Sequence, residues 1–271
     1  MSLESERAQW EKEALSVRMP SSINCATEEI GGVGCMWLTD KTASPRKIIV
    51  YLHGGGLVAG SAKTHQHLAA NIVGHTNCSV LLINYRLLPE HDYPVPLEDV
   101  LSVYRALLSN NHYLPNQLVL GGDSNGAGLA LAALTSLRDA SVPLPSKAFM
   151  VSGAFDMTLT SDSMRTNTLV DKDLSKRALK AWQTGYLNYD LESPLLSPLF
   201  ADLSELPPLL LLAGGKDPWV SDSRNLAAKI EQLGGDVKMR LWDVMEHVFV
   251  MNPALNETTE ALIEIANFVK E

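Results

Sequence analysis

The chain has 271 residues, 46% of them hydrophobic, and a mean hydropathy of +0.01, which is apolar material enough for one large α/β core. Its formal net charge of −9 argues against nucleic acid or an anionic membrane as a partner. No apolar run approaches the ~20 residues of a membrane span.

Residues 4–17 predict a helix with Arg7, Trp10 and Ala14 on one thin stripe. Residues 23–38 alternate weakly around Gly31-Gly32 and predict a hairpin. From there strands and helices alternate. Apolar strands are predicted at 47–52, 79–84, 117–121, 147–152, 208–213 and 236–242. Helical patterns fall between most of them, at 64–74, 96–109, 126–138, 220–233 and 257–270. The runs Val80-Leu81-Leu82-Ile83 and Leu209-Leu210-Leu211-Leu212 show no polar alternation, as expected of strands covered by helices on both faces. This order predicts an α/β fold with a mostly parallel central sheet.

One connection is too long for a simple crossover. About 55 residues separate the strands ending near Gly153 and beginning near Pro208, and such insertions in compact domains are usually functional. This one carries Leu174, Ala178, Leu179, Trp182 and Tyr186 at helical spacing. The expectation is a single domain, 1–271, with a small helical cap built from about 1–22 and 156–206. Cap side chains Trp182, Tyr186 and Leu187 are the expected walls of a substrate pocket.

Two short stretches carry the chemistry. Gly122-Asp123-Ser124-Asn125-Gly126 has the form Gly-x-Ser-x-Gly, follows an apolar strand and opens a run of helix formers. That is the setting of a nucleophile elbow, whose flanking glycines avoid collisions in a tight turn. His53-Gly54-Gly55-Gly56 follows another apolar strand, and its backbone N–H groups are candidates to meet an oxyanion. Together they point to a serine hydrolase with Ser124 as nucleophile.

A serine hydroxyl needs a base within reach, and the base needs an orienting carboxylate. In this architecture the chain order is Ser, acid, His. Of seven histidines only His247 follows the elbow. The acid belongs just past the strand after the insertion, at Asp217 in Gly214-Gly215-Lys216-Asp217-Pro218. Asp222 is the rival, although its Ser-Asp-Ser setting reads as a helix N-cap. Glu246 adjoins His247 but points elsewhere if that loop is extended. Asp123 reads as a hydrogen-bonder of the turn, and His53 as a shaper of its loop. The expected oxyanion hole is the N–H groups of Gly54, Gly55 and Asn125.

These residues resemble the bacterial hormone-sensitive-lipase family of esterases within the α/β-hydrolase superfamily. The resemblance covers roughly 45–270 and includes Asn84-Tyr85-Arg86-Leu87-Leu88-Pro89-Glu90-His91, Pro96-Leu97-Glu98-Asp99, Ser197-Pro198-Leu199 and Asp217-Pro218. It implies an α/β-hydrolase fold and carboxylic ester hydrolysis without metal or cofactor. It also implies a cap from the N-terminus and the insertion, and leans toward a homodimer through strand 236–242. Three departures stand out: Asn125 where the family commonly has alanine, Val248 where glycine is frequent after the histidine, and a short N-terminal part.

The function expected is hydrolysis of short-chain carboxylic esters through an acyl-enzyme. An amidase or deacetylase acting on a small molecule would use the same triad. A catalytically inactive ligand-binding relative would lack the serine or the histidine, and both are present. Cys25, Cys35 and Cys78 have neither CxxC nor metal-ligand spacing. With a charged N-terminus lacking an apolar core, they suggest a reducing compartment, the cytoplasm.

Overall fold

The computed structural model describes residues 2–41, 47–109, 113–167, 186 and 188–271. Gly31 and Gly32 take φ of 59° and 80°, the left-handed pair that a two-residue hairpin requires. They fold Val33–Asp40 (β2) back on Ile23–Ile30 (β1), with Ile30 opposite Val33. The following strands are Ile48–Leu52 (β3), Ser79–Ile83 (β4), Leu118–Asp123 (β5), Lys147–Val151 (β6), Leu209–Gly214 (β7) and Val237–Trp242 (β8). Sequence and structure agree on all six, apart from a residue or two at the ends.

Among the described residues the α-helices are Leu3–Ser16 (α1), Ala62–Thr76 (α2), Val95–Leu108 (α3), Asn125–Asp139 (α4), Asp162–Asn167 (α5), Val220–Gln232 (α6) and Asn256–Lys270 (α7). The strands form one sheet in the order β1-β2-β4-β3-β5-β6-β7-β8. Pairing is antiparallel in the hairpin and onto β4, and parallel from β4 to β8.

Strand β3 shows how the sheet sits between two cores. All five of its residues are buried. Ile48, Val50 and Leu52 pack with Val103, Leu131 and Leu226, on the face covered by α3, α4 and α6. Ile49 and Tyr51 pack with Leu68 and Ile265, on the face covered by α2 and α7. Successive side chains point to opposite faces, so each face needs its own apolar set. That is why the strand reads as an unbroken hydrophobic run.

Helix α1 departs from its expected stripe, for it has no buried residue. A polar clamp holds it instead. Arg7 donates to the Val58 carbonyl at 2.6 Å, to the Leu88 carbonyl at 2.7 Å and to the Glu90 carboxylate at 2.8 and 2.9 Å.

The chain leaves β3 toward β4 on one side and later adds β5 on the other. The crevice at the carboxyl ends of such a pair is where open α/β sheets bind their ligands. The His-Gly-Gly-Gly loop leaves the end of β3 and Ser124 leaves the end of β5, and Leu52 is paired with Gly122. No helix among the described residues is long and apolar enough to cross a membrane.

Candidate active site

Strand β5 ends at Asp123 and α4 begins at Asn125, so a single residue makes the turn. Ser124 takes φ 53° and ψ −128°, a sparsely populated state that persists only where its surroundings enforce it. Here the Ser124 amide donates to the Val151 carbonyl at 2.9 Å. The flanking glycines are required by space. A β-carbon on Gly126 would lie 2.3 Å from the Leu52 carbonyl oxygen, and one on Gly122 would lie 2.7 Å from that of Gly126.

The carboxyl ends of β7 and β8 bring up the other two groups. His247 Nε2 lies 2.9 Å from Ser124 Oγ, and its Nδ1 lies 3.0 Å from Asp217 Oδ1. Asp217 is fully buried and also accepts the Trp219 N–H at 2.8 Å. The Trp219 ring packs against the imidazole with centroids 4.8 Å apart. Hydroxyl, imidazole and carboxylate thus stand in series, an arrangement able to take a proton from serine and return it to a leaving group.

Asp222 lies elsewhere and does different work. Its Oδ2 accepts the N–H groups of Phe155 and Asp156, each at 3.0 Å. It therefore ties α6 to the loop after β6 and is not the N-cap expected from its sequence setting; that position belongs to Trp219. Burial pushes the Asp222 carboxyl up to about 7, with Asp156 and Asp217 adding to the effect against those two hydrogen bonds. Glu246 is exposed.

The glycine loop corrects one expectation. The Gly54 N–H donates to Asp123 Oδ1 at 3.1 Å. Its hydrogen is committed to the floor of the loop and is not available to an oxyanion. Among the described residues no acceptor takes the N–H of Gly55, Gly56 or Asn125. That leaves the second and third glycines and the residue after the serine as the candidate donors. In sequence the three consecutive glycines look alike. Only the carboxylate across the strand tells them apart.

The protein-family model for the α/β hydrolase fold matches residues 49–251, a span that holds every residue just described. A solved structure of an esterase from the bacterial hormone-sensitive lipase family superimposes with a TM-score of 0.93 at 34% identity, covering 99% of this chain and 91% of that one. The chain belongs to the bacterial hormone-sensitive-lipase family of α/β hydrolases. An esterase of Acinetobacter venetianus is 38% identical over 229 residues, 83% of this chain and 75% of that protein. An acetyl-hydrolase of Streptomyces hygroscopicus is 36% identical over 222 residues, 81% of this chain and 74% of that protein.

Sequence reasoning missed several supports of this family site. Behind the elbow lies a second histidine–aspartate contact, His65 Nε2 to Asp123 Oδ1 at 3.3 Å, with both side chains buried. Tyr51 donates to the same oxygen at 2.9 Å. Burial alone would raise the Asp123 carboxyl, but the charge and hydrogen bond of His65 and the Tyr51 hydroxyl together hold it below its ordinary value. His53 shapes its loop, with Nδ1 2.9 Å from the Gly54 carbonyl oxygen. Burial and neighbouring His65 push the His53 imidazole down to about 3, which keeps it neutral. Helix α5 reaches the acid loop through Asn167, whose Nδ2 donates to the carbonyls of Gly215 and Asp217, both at 3.0 Å.

Val248 takes φ 47° and ψ 42°, the left-handed state that explains why family members often carry glycine there. Its N–H donates to Ser152 Oγ at 3.0 Å. Of the expected pocket walls, Trp182 and Leu187 lie outside the described residues. Tyr186 is buried, and its hydroxyl donates to the Gly56 carbonyl at 2.7 Å.

Proposed function

We propose that Ser124, His247 and Asp217 form the catalytic triad of this carboxylic ester hydrolase and that the N–H groups of Gly55, Gly56 and Asn125 form its oxyanion hole. What supports this reading above all is the unbroken contact series from Ser124 Oγ through both ring nitrogens of His247 to Asp217 Oδ1, at 2.9 and 3.0 Å. Ser124 attacks the ester carbonyl as His247 takes its proton. The oxyanion of the tetrahedral intermediate is met by preorganised amides, where one lost donor costs ~3 kcal/mol. His247 then protonates the departing alkoxide, leaving an acyl group on Ser124. Water, deprotonated by the same imidazole, adds to the acyl carbonyl, and the acid leaves as the serine recovers its proton. Asp217 keeps the imidazole in the tautomer that presents Nε2 to serine.

The substrates proposed are esters of short acyl chains, about two to six carbons, since each buried methylene adds ~0.8 kcal/mol only where the pocket has room for it. The small cap expected from about 1–22 and 156–206 fits that limit, and the Streptomyces relative is an acetyl-hydrolase. We also propose a homodimer through strand 236–242 and a cytoplasmic location, the latter supported by three free cysteines. A p-nitrophenyl ester series with wild type, Ser124→Ala and His247→Ala tests the reaction. Wild-type turnover should peak at or below six carbons, and each variant should lose about 10⁴-fold or more. A folded variant keeping a tenth of wild-type activity overturns the triad, and a peak at ten carbons overturns the short-acyl assignment.

A further inference from the structure

Two peptide units carry the glycine amides of the proposed oxyanion hole, and each is oriented from its carbonyl side, because C=O and N–H of a trans peptide point in opposite directions. The Gly54 carbonyl faces His53 Nδ1 at 2.9 Å. The Gly55 carbonyl accepts the N–H groups of Val58 and Ala59 at 3.2 and 2.9 Å. Both restraints lie within the loop and its root, so they set its shape without fixing the end of the loop against the elbow. The next carbonyl, that of Gly56, is held from outside by the hydroxyl of Tyr186 at 2.7 Å, across 130 residues of sequence.

The Tyr186 hydroxyl has one hydrogen, spent on Gly56, and so it accepts from its other side. There Asn125 Nδ2 stands 3.4 Å from the hydroxyl and 3.3 Å from Met157 Sδ. A continuous line of donors runs from the residue after the nucleophile, through a tyrosine of the insertion, to the glycine loop. Alanine at 125 would leave the tyrosine unbraced. Burial pushes the Tyr186 phenol well above its ordinary value, with Tyr93 adding to the shift, so the hydroxyl keeps its hydrogen at any working pH.

We propose that Tyr186, braced by the side chain of Asn125, is a positioning residue that holds the Gly56 end of the glycine loop in register with the elbow, so that the oxyanion hole is complete only when the Tyr186 hydroxyl is in place. The proposal rests on the reading of Gly55, Gly56 and Asn125 as the oxyanion donors. It makes Asn125 serve that hole twice, once through its main-chain N–H and once through its side chain.

The test compares wild type, Tyr186→Phe, Asn125→Ala and the double variant. The readouts are kcat and KM for p-nitrophenyl butyrate, affinity for an alkyl trifluoromethyl ketone that adds to serine as an oxyanion, and melting temperature. Tyr186→Phe should lower kcat and weaken the ketone by the same factor, about ten-fold, with KM unchanged to within about two-fold. Asn125→Ala should show a smaller loss of the same kind, and the double variant should match Tyr186→Phe alone, because both act through one contact. If the phenylalanine variant does not fold, Asn125→Ala carries the same comparison.

Loss of the hydroxyl with kcat and ketone affinity both kept within about two-fold overturns the proposal. A rise in KM at constant kcat also overturns it, since that marks a substrate wall. Multiplying effects in the double variant would do the same. If the wild-type enzyme binds the trifluoromethyl ketone no better than the plain methyl ketone, the oxyanion-hole reading fails first and the proposal falls with it.

Discussion

Asp217 and Asp222 stand five positions apart in sequence, both buried, and their partners alone separate them. Asp217 faces an imidazole nitrogen, whereas Asp222 faces two backbone amides. Asp217→Asn should therefore cost ester turnover about 10⁴-fold, since an amide there allows the imidazole to settle in the wrong tautomer. Asp222→Asn keeps a carbonyl oxygen for both amides and should cost far less. Steady-state kinetics on variants matched for folding decides this, and a worse Asp222 variant would reverse the assignment. Asp222 has its own signature in pH. Its carboxyl rises from 3.8 to about 7 on folding. A raised acid binds its proton more tightly in the folded state, so its contribution to stability is full below about pH 4, declines as pH rises to about 7 and stays at its lowest above that. Asparagine removes the slope. The melting temperature of Asp222→Asn relative to wild type should climb between pH 4.5 and pH 8, and a constant difference would refute the shift.

The elements were legible to very different depths. Strands β3 to β7 could be read because burial on both faces leaves unbroken apolar runs, β8 because its apolar and charged residues alternate, and the elbow because its two glycines answer a collision that any β-carbon would cause. The ordering of Ser124, Asp217 and His247 follows from where strands end. Contacts that cross between elements left no such trace. Nothing in Thr64-His65 announces that this histidine meets Asp123, because the contact depends on how α2 lies against the sheet. The clamp of Arg7 on Val58, Leu88 and Glu90 was hidden because an arginine on a helix stripe reads as a break in an apolar face. The choice among Gly54, Gly55 and Gly56 depends on a single carboxylate oxygen across the sheet, which no pattern of glycines encodes.

At the scale of the molecule, β8 is the last strand of the sheet, with β7 as its neighbour. The Leu209 N–H takes the Asp236 carbonyl and the Gly215 N–H takes the Trp242 carbonyl. Peptide groups at even positions of β8 therefore face β7, and those of Val237, Met239 and Leu241 face away. Lys238 and Arg240, which would repel their own copies, both pair with Glu264 of α7 at 3.3 and 3.0 Å. That leaves an edge able to pair with a second molecule about a two-fold axis. Light scattering at micromolar concentration should give about twice the 29.5 kDa of the chain. Met239→Pro removes an outward N–H without touching the ladder to β7, so it should return the mass to that of one chain. A single-chain mass for the wild type would reject the pairing.

The bond from Tyr186 to Gly56 also bears on how the enzyme responds to heat. A sheet of eight strands melts cooperatively, but one hydroxyl reaching one carbonyl opens at far lower cost, and local openings of this kind precede global unfolding. The temperature at which turnover falls about ten-fold and the temperature at which the sheet is lost should then be two separate numbers, with the first lower and its loss recovered on cooling. Esterase activity in this protein would act as a thermometer for a single contact.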